Sequence, residues 1–468
     1  MISSFLSGFK KFFNDREYFS LVIKFTFPIA LQNLVMASLN MVANLMIGQL
    51  GGTPVAAVGL ANQILFLLNL VVFGVVSGAA MFMAQLWGKR DVNNIKRVVG
   101  LTIKLSLLAA VFFWLVAVIF PKGVMSLYSN DLAVIEQGSQ YLRIIAWGYG
   151  FLAITASFSV ALRSIGNVRL PLVVSTSALV INILLSYILI FGWNSIGLDP
   201  LGIRGAAYAV VTTRALECLA ILILVYRDKT SPVAVSMQEL FRFDLRFLRA
   251  TMKPILPVIA NEILWSLGIT TYNSIYGHIG TDGVAAINIV ASIDQIAFVF
   301  FMGLGTATAI MVGNAIGQGD REKAYIYSAR SIIIQAAGGI LMGFLVYSFA
   351  GNIFQFYKVA PPVIIDARNI LTVLSLGMWI RATNHVLIIG MLRSGGDTRF
   401  SLFLDGFVIW LVGVPITAAG AFILGWPIHL VYALTFSEEI TKTILGLWRF
   451  FSKKWIHDLT ARVTEISS

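Results

Sequence analysis

Long, continuously apolar runs dominate this chain, and short polar segments separate them. About twenty consecutive apolar residues are enough for a helix to cross the hydrocarbon core of a bilayer. The runs are uniformly apolar and do not alternate with a period of two, so they predict transmembrane helices rather than barrel strands. Twelve runs qualify, at residues 20–47, 55–84, 98–120, 136–162, 170–192, 204–226, 254–278, 284–313, 326–349, 365–391, 400–424 and 428–450.

The composition agrees with a membrane protein. The 468 residues are 58% hydrophobic and only 12% charged, whereas about a quarter of the residues in a soluble domain are charged. The single cysteine, Cys218, excludes a disulfide scaffold and any site built from several cysteines. Neither GxxxxGK[ST] nor HExxH occurs, and the four histidines are scattered. We therefore expect neither an enzyme nor a bound cofactor.

The net charge of +12 is explained by topology. Alternate segments between the runs are rich in Lys and Arg, as expected for cytoplasmic segments. These bases include Lys10, Lys11, Lys89, Arg90, Arg163, Arg169, Arg246, Arg249, Arg393, Arg399, Lys453 and Lys454. The opposite segments hold only Lys122, Arg204, Lys358 and Arg368. We expect both termini to be cytoplasmic, a plasma (inner) membrane location, the lipid bilayer as partner, no nucleic acid and a monomer. The N-terminus shows no cleavable signal-peptide pattern.

The two halves of the chain repeat each other. At a shift of 229 residues, Pro28 aligns with Pro257, Asn44 with Asn273 and Asp91 with Asp320. At a shift of 230, LRSIGNVR (162–169) aligns with LRSGGDTR (392–399). Each half holds six spans, so the repeat is parallel, and an all-α protein of two pseudo-symmetric six-helix bundles is predicted. The expected parts are a cytoplasmic lead-in (1–19), an N-terminal bundle (20–226), a cytoplasmic linker (227–253), a C-terminal bundle (254–450) and a cytoplasmic tail (451–468).

Two such bundles facing a common cleft suit transport by alternating access. A carboxylate inside the bilayer costs about 2.5–3.5 kcal/mol on insertion scales, so each one is a candidate for function. Two of them have a base one helical turn away, Glu217 with Arg214 and Glu438 with Lys442, and ion pairs within one helix are predicted there. Glu439 has no assigned partner.

Glu262, Asp294 and Asp405 have no base one turn away on their own helices. Such a carboxylate is able to carry a proton, or to bind Na⁺ together with other oxygen ligands. We expect these three to couple ion flow to transport, with Glu262 and Asp294 as possible Na⁺ ligands. The alternative is that they are held by hydrogen bonds between helices. Glu262 aligns with the uncharged Asn33, so the coupling site is expected in the C-terminal bundle.

Aromatic and amide side chains on the same spans suit a flat organic cation. Rings attract cations over their faces, and amides supply hydrogen bonds. Packing between helices is the alternative for each aromatic residue, including Tyr276. The candidate substrate-binding residues are Asn33, Asn44, Trp265, Tyr272, Asn273, Asn288 and Gln295.

Several phrases together resemble the multidrug and toxic compound extrusion (MATE) transporters, over nearly the whole chain. The phrases are FPIALQN (27–33), MIGQLGG…VAAVGLANQ (46–63), INILLSYILIFG (181–192), LGIRGAAYA (201–209), LRSGGDTRFSL (392–402) and WLVGVPI (410–416). The resemblance implies a two-bundle fold and export of organic cations by antiport with Na⁺ or H⁺. It also implies a coupling acid in the seventh span, which falls on Glu262.

Two positions depart from the pattern of that family. Some members carry an acid in the first span, where this chain has Ala43 followed by Asn44, and some carry one in the fifth span, where it has Ser186. The alternative function is a flippase for lipid-linked saccharides. Such a flippase would need several bases in the middle of the spans to bind the diphosphate of its lipid. The mid-span bases of this chain are few, namely Lys104, Arg214 and Lys442.

Overall fold

The computed structural model describes residues 15–193, 197–228, 230–241, 244–355 and 359–467. Eleven helices in this part of the chain are long and apolar enough to cross a membrane. They are α1 (Arg16–Gly48), α2 (Gly52–Gly88), α3 (Val92–Ile119), α4 (Leu132–Ser164), α5 (Arg169–Phe191), α6 (Gly202–Arg227), α7 (Leu245–Ile279), α8 (Thr281–Gly317), α9 (Arg321–Phe354), α10 (Pro361–Arg393) and α11 (Thr398–Ile423). The twelfth predicted span, α12, consists of Ile428–Leu434 and Phe436–Phe451, separated at Thr435.

The helices match the predicted runs because continuous apolar sequence can satisfy its backbone in a bilayer only as helix. Their ends extend beyond the apolar runs in several places. Helix α7 begins at Leu245, within the predicted linker 227–253, whose other described helix is Met237–Phe241. In the predicted lead-in 1–19, residues 1–14 lie outside the described part, and α1 already begins at Arg16.

The chain divides into two compact units. The N-terminal unit comprises Leu31–Met83 and Arg90–Thr251, and the C-terminal unit comprises Met252–Glu465 with Ala84–Lys89 and α1 up to Ala30. Alternate small and large apolar residues fill each core, with Ala61, Leu68 and Ala153 fully buried in the N-terminal unit. In the C-terminal unit, Leu374 and Ile409 are fully buried in the same way.

The first half of α1 belongs to the C-terminal unit because polar contacts hold it there. The Tyr18 hydroxyl lies 2.8 Å from the Ser331 hydroxyl of α9. The Lys323 ammonium donates to the Glu17 carboxylate at 2.8 Å. Ala30, where this half ends, follows Pro28, the residue at which the helix loses a backbone donor.

The repeat reappears in the way two helices begin. Asp91 caps α3 by accepting a hydrogen bond from the Asn94 amide at 3.1 Å. The aligned Asp320 caps α9 by accepting from the Lys323 amide at 2.9 Å. A carboxylate at this position satisfies a free N–H group and favours the positive end of the helix dipole. The two aspartates are therefore explained by helix capping.

Two helices of the C-terminal unit contain π-helical segments. These are Val386–Arg393 at the end of α10, and Leu402–Phe407, Ile409–Gly413 and Ala419–Ile423 in α11. A π segment turns the following side chains relative to an α-helix and is frequent at functional sites. Arg393, Asp405 and Gly413 lie in these segments, beside the acids described next.

Candidate functional site

The three acids that have no base one turn away on their own helices are each paired with a base from another helix. A guanidinium nitrogen of Arg393 lies 2.6 Å from Glu262 Oε1. Asp294 Oδ1 accepts from Arg381 at 2.8 Å, and Asp405 Oδ1 accepts from the Lys442 ammonium at 3.0 Å. Burying a charge without a partner costs several kcal/mol, which is why each acid has one.

These pairs could not be predicted from spacing along one helix. Residues three or four positions apart show only partners on the same helix, whereas Asp294 and its partner Arg381 are 87 positions apart. Arg393 was assigned to a cytoplasmic segment, yet its side chain is only 4% exposed. Arg381 lies on α10, whereas Asp294 lies on α8.

The repeat could have revealed the Arg393 contact. The aligned arginine, Arg163, donates to Gln32 Oε1 at 2.8 Å in the N-terminal unit. Gln32 stands one residue before Asn33, the position that aligns with Glu262. In both units, the arginine of the repeated LRS sequence therefore contacts a polar side chain on the first helix of the unit. The C-terminal unit does so with a charged acceptor.

Lys442 holds two carboxylates. Besides Asp405, its ammonium contacts Glu438 Oε1 at 3.3 Å, which confirms the predicted pair one turn apart on α12. The other oxygen of Glu438 accepts from the Tyr272 hydroxyl of α7 at 2.8 Å. The other oxygen of Asp405 accepts from the Asn261 amide at 2.9 Å. Three helices thus meet at one buried base.

Glu439 is held by an amide rather than by a base. The Asn384 side chain of α10 donates to its carboxylate at 2.6 Å and to its backbone carbonyl at 2.8 Å. Thr443 fixes the amide by donating to Asn384 Oδ1 at 2.9 Å. A neutral amide does not cancel the negative charge of a carboxylate, so the charge of Glu439 is not compensated by this contact.

The charges of the buried and half-buried residues described above do not balance. Five carboxylates, namely Glu262, Asp294, Asp405, Glu438 and Glu439, face three bases, namely Arg381, Arg393 and Lys442. With every group ionised, two negative charges are left over. Because an uncompensated charge in an apolar interior is costly, the group has a physical reason to take up protons or metal cations.

The predicted substrate residues on α7 and α8 differ in burial. Tyr272 is buried, bonded to Glu438 and stacked with Tyr276 at 6.4 Å between ring centroids. Asn273, Asn288 and Gln295 are exposed.

Trp265, Asn33 and Asn44 are the other predicted substrate residues. Trp265 is 37% exposed on α7, and Asn33 is half-buried on α1. Asn44 lines a cavity in the N-terminal unit, and neither Trp265 nor Asn33 is among the residues that line it.

A polar cavity of about 540 Å³ lies within the N-terminal unit. Phe66 and Tyr141 supply aromatic surface, and Ala43 and Ser186 also line the cavity. The amide and hydroxyl groups of its lining are those of Asn44, Asn62, Asn69, Ser175, Asn182, Ser186 and Thr213. This volume lies in the range of pockets for small organic molecules.

The charged groups of this cavity are one ion pair. Arg214 donates to Glu217 at 3.1 Å, as predicted from their spacing on α6. The Asn182 amide of α5 donates to the Thr213 hydroxyl at 3.3 Å. The cavity could not be predicted from the sequence because its lining comes from five helices of the unit. The amide-rich first and second spans were the available signal.

Gly413 leaves the space that the Tyr272–Glu438 hydrogen bond occupies. A Cβ added to Gly413 would overlap with the Tyr272 hydroxyl and with the Glu438 carboxylate. We therefore expect Gly413→Ala to break this bond and to lower the free energy of unfolding by about 1–3 kcal/mol. Thermal unfolding of purified protein measures this. Gly277→Ala is the control, because nothing lies within 4 Å of a Cβ there. Equal stability of both variants would contradict the expectation.

The family model MatE matches residues 28–188 and 257–419, one match in each half. The probable multidrug resistance protein YoeA of Bacillus subtilis is 26% identical over 428 residues, which are 91% of this chain and 88% of YoeA. The probable multidrug resistance protein NorM of Thermotoga maritima is 21% identical over 447 residues, 93% of this chain and 92% of NorM.

Solved structures share the fold. A mutant of the Vibrio cholerae MATE transporter VcmN superposes with a TM-score of 0.85 at 18% identity, covering 95% of this chain and 99% of that one. A MOP superfamily transporter from Pyrococcus furiosus gives 0.82 at 20% identity, covering 93% and 96%. These superpositions agree with twelve membrane-spanning helices in two six-helix bundles, the architecture predicted from the repeat.

Proposed function

This chain belongs to the MATE family of membrane transporters, and on that premise we propose that it exports small organic cations in exchange for Na⁺ or H⁺. The substrate and the ion use different units. The polar cavity of the N-terminal unit takes the substrate, and the acids of the C-terminal unit take the ion. Glu262, Asp294 and Asp405 keep their proposed coupling role, now as members of ion pairs.

The observation that carries the proposal is the excess of two carboxylates over bases among the eight residues Glu262, Asp294, Asp405, Glu438, Glu439, Arg381, Arg393 and Lys442, which are buried or half-buried in the C-terminal unit. Uptake of a cation removes part of this excess, so it changes the balance of attraction between helices. A ligand shifts a conformational equilibrium only through different affinities for the two states. Ion pairs that exchange partners between states provide such a difference.

The cavity of the N-terminal unit supports the substrate role by its size and lining. Phe66 and Tyr141 offer ring faces to a flat cation, and Asn44 and Asn182 offer hydrogen bonds. The saccharide flippase is not favoured. The one base among the lining residues, Arg214, is already bonded to Glu217, which leaves a lipid diphosphate without a free cation.

The test uses the purified full chain in proteoliposomes loaded with ethidium. A pH gradient and a Na⁺ gradient are imposed separately, and ethidium efflux is followed by fluorescence. At least one gradient should accelerate efflux above that of protein-free vesicles. If neither gradient changes the rate, ion-driven export by this chain is rejected.

Filling the cavity should weaken transport without unfolding the protein. Ala43 lines the cavity and is half-buried. We expect Ala43→Phe to raise the ethidium concentration for half-maximal transport about tenfold, equivalent to about 1.4 kcal/mol of binding. Met41→Phe, at a site that is 64% exposed, is the control and should behave like the unmodified protein. An unchanged half-maximal concentration in Ala43→Phe would place the substrate elsewhere.

A further inference from the structure

We propose that Lys442 selects the coupling ion. Asp405, Glu438 and Asn261 form a cation site, and the Lys442 ammonium occupies it. The ammonium thereby excludes Na⁺, and the ion taken up at this site is the proton. This inference rests on the proposed antiport function and names its ion.

The first support is the position of the ammonium. It lies 3.0 Å from Asp405 and 3.3 Å from Glu438, and only 2% of the lysine side chain is exposed. The two carboxylates come from different helices, α11 and α12, and converge on one point. A buried base needs such compensation, and two acids with one base leave a net charge of −1.

The second support is an acceptor oxygen without a partner. The Asn261 amide nitrogen donates to Asp405 Oδ2 at 2.9 Å, which fixes the orientation of the amide, since its oxygen would be repelled by the carboxylate. Asn261 Oδ1 then accepts no hydrogen bond in the described part of the chain, although the residue is only 1% exposed. A buried acceptor left in this way keeps the full cost of its desolvation. Because Asn261 is bonded to the Asp405 carboxylate, this oxygen is a ready ligand for a cation held there.

The geometry separates the two candidate ions. Na⁺ is a hard cation that needs several oxygen ligands at once. Lys442 already holds one oxygen of each carboxylate, whereas a proton needs a single lone pair and would neutralise the remaining charge of −1. The other titratable groups acting on the two carboxylates are Arg393, which is bonded to Glu262, and His385 of α10, which acts on Asp405. Glu439, Tyr272 and Tyr276 act on Glu438.

Sodium binding tests the inference independently of transport. Thermal unfolding of the full chain in detergent is measured in NaCl and in choline chloride at equal ionic strength. The unmodified protein should show the same midpoint in both salts. Lys442→Gln should unfold at lower temperature in choline chloride and recover by at least about 2 °C in NaCl. Adding Asp405→Asn to Lys442→Gln should remove this recovery. Lys24→Gln, at an exposed lysine, is the control.

The outcomes are distinct. A NaCl-dependent rise in the unmodified protein that disappears in Asp405→Asn would overturn the inference, because Na⁺ would then bind with Lys442 in place. A folded Lys442→Gln that shows no response to NaCl would also overturn it. If Lys442→Gln cannot be purified in choline chloride, purification in NaCl is the expected result, and failure in both salts counts against a Na⁺ site. Failure of all ion-driven efflux would reject the transport proposal while leaving these sodium results unchanged.

Discussion

Arg393→Gln is expected to lower the free energy of unfolding by about 3–5 kcal/mol, enough to prevent recovery of most of the protein in folded form. The substitution leaves the Glu262 carboxylate, only 10% exposed, without the guanidinium that lies 2.6 Å away. Removing one partner of a buried pair costs far more than the pair contributes, because the remaining charge keeps its desolvation penalty. Size-exclusion chromatography and thermal unfolding measure the loss.

The double variant Arg393→Gln/Glu262→Gln separates charge from packing. It removes both charges and should recover most of the lost stability. Arg399→Gln, at a base outside the pair, is a control that should leave the unfolding midpoint unchanged. A stable Arg393→Gln single variant would show that Glu262 does not depend on this arginine.

Glu262→Gln alone is expected to fold and yet to lose gradient-driven export. A glutamine oxygen can accept from Arg393 as Gln32 does from Arg163, but it cannot bind a proton or neutralise a cation. We expect the gradient-dependent part of ethidium efflux to fall at least about 100-fold, equivalent to about 2.7 kcal/mol. The proteoliposome assay with imposed gradients measures this fall.

The matched control is Glu136→Gln. Glu136 is a carboxylate in an exposed ion pair with Lys122, and its side chain is 51% exposed. It should retain the transport rate of the unmodified protein. A Glu262→Gln variant with equal gradient-driven efflux would remove this residue from the coupling mechanism.

The fold could be predicted from sequence because its main constraint is local. Each apolar run must satisfy its own backbone, so helices were recognised without any knowledge of their neighbours. The repeat supplied the two bundles. The break of α12 at Thr435 and the π segments of α10 and α11 were not predicted, because they depend on packing between helices rather than on apolar length.

The site was predicted in part. The acids were identified, and the two pairs within one helix, Arg214–Glu217 and Lys442–Glu438, were correct. The pairs between helices were missed because residues far apart in sequence meet only in the folded chain. The pair between Arg393 and Glu262 is the clearest example. Arg393 was interpreted as a cytoplasmic charge, although it forms a buried ion pair.

The most direct test of the central claim follows both fluxes in the same proteoliposomes. Internal pH or Na⁺ is recorded together with ethidium efflux, for the unmodified protein and for Asp405→Asn. If the C-terminal acids carry the coupling ion, ethidium will drive counter-ion flow in the unmodified protein, and both flows will lose their mutual dependence in Asp405→Asn. Coupled exchange in Asp405→Asn at the unmodified rate would contradict the account.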